Sequence, residues 1–107
     1  MSEKIPNSFA EINDVDLVEA FKNGSQEAFE EIVARYRQRL YQTAYAILNS
    51  HHDAEEVTQD ALVKAYRALP NFRGEALLLT WLCRIVIDLA CDKYHQLQQC
   101  KIDWKIS

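Results

Sequence analysis

Helix breakers are scarce: two glycines and two prolines in 107 residues. Such a composition excludes collagen-like and low-complexity architectures, and with 49% hydrophobic residues it excludes wholesale disorder. Runs of β-branched residues are also few, so the chain favours helices over strands. No apolar stretch reaches the ~18–20 residues of a membrane-spanning helix. Cysteine is sparse and odd in number, at Cys83, Cys91 and Cys100. The opening MSEKIPNSFAEIND is polar and lacks the apolar segment of a signal peptide. Reduced thiols in a cytoplasmic chain are therefore the expectation. The GxGxxG, P-loop, GxSxG and HExxH motifs are missing, so neither a catalytic role nor a cofactor is assigned. What is present is length for one domain, with ~65% of the unfolded surface buried on folding.

The formal net charge is −4, which by itself argues against a nucleic-acid partner. Its distribution argues otherwise. Residues 1–60 hold 12 acidic and 5 basic side chains, whereas residues 61–107 hold 4 acidic and 7 basic. An acidic front and a mildly basic back suit two different partners, although ordinary solvated helix faces account for the same counts.

The periodicity predicts one short and three long helices in a compact all-α bundle. Residues 1–13 read as a flexible leader. Asp14 is a good N-cap for a helix over Val15–Asn23, with Leu17, Val18 and Phe21 on one side and Gly24 at a left-handed terminus. Ser25 caps a second helix from about Gln26 to Leu48, with an apolar stripe of Phe29, Ile32, Val33, Tyr36, Leu40, Ala44 and Ile47. Its other face, including Glu31 and Arg35, reads as solvated. Asn49–His52 breaks the pattern. Asp53 and Glu56 fit a capping box for a third helix that buries Val57, Ala61, Leu62, Ala65, Tyr66 and Leu69 and stops at Pro70. A fourth helix begins near Glu75–Ala76 and runs to about Leu97, with 98–107 as an irregular tail. The helical domain thus spans 14–97, its loops of 3–6 residues making neighbours antiparallel.

Candidate chemistry is thin. Cys91 and His95 stand four apart and Cys100 follows, but structural zinc sites use four ligands in tighter pairs, so no metal is assigned. Glu55–Glu56 is explained by helix N-terminal charge preference, and Trp81 reads as core. Phe72-Arg73-Gly74 is more informative. It sets an aromatic ring, a cation and a flexible backbone beside a helix N-terminus, a combination suited to a single-stranded nucleic-acid backbone and unstacked bases.

The segments DLVEAFKNGSQEAFEEIVARYRQRLYQTAYAIL, DAEEVTQDALVKAYRALPNFRGE and TWLCRI, in that order and spacing, resemble region 2 of bacterial sigma factors of the extracytoplasmic-function class. The resemblance covers about Asp14–Tyr94. It implies a helical domain of a transcription-initiation factor with two working faces. One binds core RNA polymerase at the β′ clamp helices, through Asp53, Glu56, Gln59, Asp60 and Val63. The other opens the promoter −10 element and holds the nontemplate single strand. It is carried by Phe72, Arg73, Gly74, Leu77, Leu78, Thr80, Arg84, Asp88, Cys91 and Asp92. An extruded base needs a pocket that replaces its lost stacking and hydrogen bonds. An anti-sigma factor is a further implied partner.

Some positions depart from the family. Asp88 stands where it usually has Asn, and Cys91 where it has Arg or Lys. Gln96-Leu97-Gln98-Gln99 replaces an often Arg-rich stretch, and Leu77 and Leu78 replace a Ser or Ala and an aromatic. Carboxylates repel phosphate, and fewer cations lower the electrostatic share of DNA affinity. These departures support an alternative reading, a polymerase- or anti-sigma-binding module with weakened DNA reading. The resemblance stops short of the second helical domain that reads the −35 element, so a partial or degenerate sigma factor is expected.

Overall fold

The computed structural model describes residues 12–106, and side-chain surroundings over residues 12–98. The leader predicted over 1–13 therefore lies almost wholly outside the described residues. Four helices follow one another: α1 (Asp14–Lys22), α2 (Gln26–Leu48), α3 (His51–Ala68) and α4 (Leu78–Ile106). A 3₁₀ turn, Leu69–Asn71, follows α3. Among the described residues there is no strand, as the composition predicts, and no helix is long and apolar enough to cross a membrane.

Local chemistry sets each boundary. Asn13, not Asp14, caps α1: its side chain accepts a hydrogen bond from the Asp16 amide at 2.9 Å. Asp14 is displaced from that role by stronger partners on α2. The α1 terminus is a Schellman turn, with the Ser25 amide on the Ala20 carbonyl at 3.0 Å and the Gly24 amide on Phe21 at 2.9 Å. Gly24 has a φ of +107°, which its lack of a Cβ permits. Ser25 caps α2 as predicted, accepting from the Ala28 amide. Asn49 ends α2 in the left-handed region at φ +53°. The α2–α3 link is then shorter than predicted, and Ser50 rather than Asp53 caps α3, accepting from the Asp53 amide. His51 and His52 thus form the first turn of a helix. Glu56 leaves the predicted capping box because Lys93 holds it from α4.

The core comes from all four helices: Leu17 and Val18 of α1, Ile32, Leu40 and Ala44 of α2, Val57, Ala61 and Ala65 of α3, and Leu82, Val86 and Ala90 of α4. Each fully buried Leu or Val contributes roughly 1.5–3 kcal/mol by transfer from water. Small residues at Ala28, Ala44, Ala54, Ala61 and Ala65, all buried, let the helices approach closely. The one buried polar side chain among the described residues, Thr58, donates its hydroxyl to the Ala54 carbonyl at 2.7 Å. Phe21, Phe29 and Tyr66 meet with centroids 5.1–5.5 Å apart, fastening α1, α2 and α3 together. Tyr66 is exposed rather than buried, because its hydroxyl reaches the Gln26 amide.

Two further expectations change. The face of α2 read as solvated contains the hub of the α1–α2 junction: half-buried Arg35 donates to Glu31 at 3.0 Å, to Asp14 at 2.9 Å and to the Ile12 carbonyl. Tyr36 donates its hydroxyl to the same Asp14. In addition, α4 starts later than predicted and continues to Ile106, so 98–106 is helical rather than an irregular tail.

Candidate nucleic-acid interface

Between α3 and α4 the chain runs through Phe72–Leu77 without regular structure. Pro70 brings on this change, because it lacks an amide proton to continue the α3 ladder. The loop is pinned at its first residue. The Phe72 ring lies 4.9 Å from the Trp81 ring of α4, and the Phe72 carbonyl accepts from Lys22 Nζ of α1 at 2.6 Å. Trp81 is thus part of the packing, as its spacing predicts, with Phe72 laid against it. Gly74 has a φ of +78°, and a Cβ there would meet nothing within 4 Å. What glycine supplies is therefore the backbone turn and not room for a neighbour.

A cleft of about 460 Å³ opens between this loop and α1. Val15, Val18, Ala76, Leu77 and Leu78 give it apolar walls, and Asp14, Glu19, Lys22, Arg73 and Glu75 supply its polar groups. Two of those five are already committed, Asp14 to Arg35 and Tyr36 and Lys22 to the Phe72 carbonyl. Glu19, Arg73 and Glu75 have no side-chain hydrogen-bond or ion-pair partner among the described residues. Asp14 also acts on Tyr36: burial, together with the carboxylate beside it, pushes the Tyr36 hydroxyl pKa up to about 12.

The chain passes from the loop into α4. Thr80, Arg84, Asp88 and Cys91 recur at helical spacing on one face, and Leu78, Leu82, Val86 and Ala90 on the opposite, buried face. Thr80, Arg84, Asp88 and Asp92 are exposed, and Cys91 is half-buried. Of the residues predicted to touch DNA, Leu78 shows only a small part of its side chain, in the cleft wall. It is 4% exposed, and its side chain belongs to the core. Its neighbour Leu77 is 77% exposed. Phe72 lines the cleft with its ring packed on Trp81.

The predicted polymerase face lies on α3. Glu56, Gln59, Asp60 and Val63 are exposed there, and Asp53 is half-buried. Gln59 and Val63 line a second groove, of about 590 Å³, with Phe29, Val33 and Arg37 of α2 and Leu62, Tyr66 and Arg67 of α3. At the head of α3, Lys93 Nζ lies 2.9 Å from Glu56 and 3.9 Å from Asp53. This ammonium holds the Glu56 carboxyl below its usual range, and Glu56 in turn raises Lys93. His52, Asp53 and Glu56 also bring their ligand atoms within 4.8 Å of one another. The cation at that cluster is the protein's own lysine.

Three comparisons bear on this geometry. The pattern of the sigma-70 region 2 family matches residues 32–99. The chain belongs to the sigma-70 region 2 family. This region 2 is 39% identical over 77 residues to the RNA polymerase sigma-H factor of Pseudomonas aeruginosa, covering 72% of the chain and 40% of that relative. It is 36% identical over 79 residues to the ECF RNA polymerase sigma factor SigW of Bacillus subtilis, covering 74% and 42%. Among solved structures, an engineered region 2 of sigmaE in complex with GTAAAA superposes with a TM-score of 0.71 at 34% identity, covering 94% of this chain and 96% of that one. CnrH in complex with the cytosolic domain of CnrY gives 0.70 at 30% identity, covering 83% and 61%. Both curated relatives are sigma factors, and SigW is by name an ECF sigma factor. This region 2 spans about two fifths of the length of the curated relatives it matches.

Reading the sequence missed the part of the cleft that α1 supplies. Val15, Glu19 and Lys22 lie off the predicted Leu17–Val18–Phe21 side of α1, and the sequence assigns them no role. A signal was present in Val15, an apolar residue on the wrong side of the Leu17–Val18–Phe21 stripe, and it is 76% exposed. Arg37 and Arg67 line the α3 groove together with Gln59 and Val63.

Proposed function

We propose that this sigma region 2 binds core RNA polymerase and holds the melted nontemplate strand of a promoter −10 element. Acting there, it works in the cytoplasm. The observation that carries the reading is the cleft between α1 and the Phe72–Leu77 loop, which leads in the chain into α4 with its exposed polar stripe. The cleft has apolar walls for the faces of an extruded base and unpartnered polar groups for its edge. Arg73 and Arg84 meet the strand's phosphates, and Gly74, Leu77 and Thr80 line its path. The outer face of α3, with Asp53, Glu56, Gln59, Asp60 and Val63, is the surface for the β′ clamp helices. A relative's region 2 held with GTAAAA supports the DNA part.

Titration of the chain with single-stranded −10 oligonucleotides at several salt concentrations tests this reading. Binding whose logarithm falls linearly with the logarithm of salt is expected, because each neutralised phosphate releases counterions. Absence of binding, or binding without a salt slope, rejects the DNA part. Capture of core polymerase tests the other part separately.

One observation favours a second reading, in which DNA contact is weakened and protein contact dominates. The α4 stripe sets exposed Asp88 and Asp92 against Arg84 as its one basic residue among those assigned to DNA. In this reading the domain occupies polymerase or an anti-sigma partner without reading a promoter. Promoter opening by this region, once joined to a −35-reading domain, rejects it.

A further inference from the structure

The polar groups of the α1–loop cleft are unequal in freedom, and this inequality carries a specificity. Asp14 and Lys22 are consumed inside the protein. The acceptors left are the carboxylates of Glu19 and Glu75. Glu75 follows Gly74 in an exposed loop, so its position is loosely set. Glu19 stands on a helix fixed by several contacts: the Asn13 cap, the Schellman turn, the Leu17–Val18–Phe21 core face and the Lys22 bond to Phe72. A side chain on a braced helix is placed more reproducibly than one on a loop.

We infer that Glu19 of α1 is a specificity-determining residue for the extruded base, favouring a base with an exocyclic amino group over thymine. The inference rests on the DNA reading above and deepens it. Cytosine and adenine each offer an amino group at the pairing edge that extrusion exposes, and guanine offers an amino group and a ring N–H there. A carboxylate accepts from all three. Thymine offers two carbonyl oxygens flanking a single N–H, so the same carboxylate meets repulsion on either side. The apolar walls of Val15, Val18 and Leu77 hold the ring faces and discriminate little, since every base has them. Arg73 is the free cation of the cleft, which keeps the phosphate and the base edge on different partners.

The experiment uses the full chain and single-stranded DNA pools randomised over a short window, with bound DNA sequenced against input. Wild type is expected to deplete thymine at one position of the window. Glu19→Gln, whose amide offers a donor as well as an acceptor, is expected to restore thymine there by about tenfold. Preferences elsewhere and thermal stability should stay as in wild type, because Glu19 is exposed. If DNA is retained but Glu19→Gln leaves the base preference unchanged, or only Glu75→Gln alters it, the assignment to Glu19 is overturned. If no sequence is enriched, the DNA reading itself fails, and this inference with it.

Discussion

Lys22 Nζ donates a 2.6 Å hydrogen bond to the Phe72 carbonyl oxygen, joining the last turn of α1 to the start of a loop fifty positions away. The bond also lends a cation to the C-terminal end of α1, where the helix dipole favours it. The cleft between α1 and the loop depends on these two elements keeping their separation. Lys22→Met is therefore expected to cost about 1 kcal/mol or less in stability, since the contact is exposed to water. Amide exchange across 72–77 should nevertheless quicken, as local opening needs less free energy. Oligonucleotide affinity should fall several-fold. Unchanged exchange in the loop would show that Phe72 on Trp81 holds it without help.

The junction of α1 with α2 predicts an alkaline transition. Tyr36 donates to Asp14, and its pKa is raised from 10.0 to about 12. A folded-state pKa above the unfolded value means that the contribution is fully present below pH 10. It is lost as pH rises from about 10 to about 12. The shift corresponds to on the order of 2 kcal/mol. Tyr36→Phe should lower stability at neutral pH and flatten the alkaline loss, measured as denaturant midpoints of both proteins from pH 8 to 12. Parallel profiles for the two proteins would sink the assignment.

Leu77 and Leu78 are adjacent and opposite. The family resemblance assigns both to the DNA-facing loop. Helix periodicity decides the matter only once the true start is known. Leu78 then falls in register with Leu82, Val86 and Ala90 and goes inside. We expect Leu78→Ala to cost roughly 2–5 kcal/mol through loss of a buried side chain. Leu77→Ala should cost less than about 0.5 kcal/mol. On DNA the order reverses, Leu77→Ala weakening oligonucleotide binding at unchanged stability. Equal stability losses would contradict the register described for α4.

The same pair shows where sequence reading succeeds and where it stops. The caps at Ser25, the α2 span and the core stripes of α2 and α3 were legible, because each depends on residues within a few positions of one another. What distant residues decide was not legible. Asp14 is an ordinary N-cap residue until Arg35 and Tyr36 arrive from α2 and leave capping to Asn13. Glu56 is an ordinary capping-box residue until Lys93 reaches it across thirty-seven positions. The α1 wall of the cleft was hidden for the same reason: nothing within α1 tells that a loop after α3 will face it.

The α3 surface provides the remaining prediction. Gln59 and Asp60 are exposed at the middle of α3, one turn on from Glu56, with Asp60 within electrostatic reach of Lys93. Val63 adds an apolar contact, 46% exposed, beside a groove rimmed by Arg37 and Arg67. A patch with an apolar centre and polar groups around it has the anatomy of a protein interface. Partners of an exposed acid are best found by reversing it, because removal of a surface charge alone moves affinity little. Asp60→Lys combined with Gln59→Ala is expected to abolish capture of core polymerase. Both residues face solvent, so the helical circular dichroism should remain that of wild type and the melting temperature should fall only slightly, through the added cation near Lys93. Single-stranded DNA binding should survive as well, since the cleft and the α4 stripe are built from other residues. Capture undiminished by the double substitution would move the polymerase contact off this face of α3. Loss of DNA binding together with capture would instead mean that the two working faces are not independent.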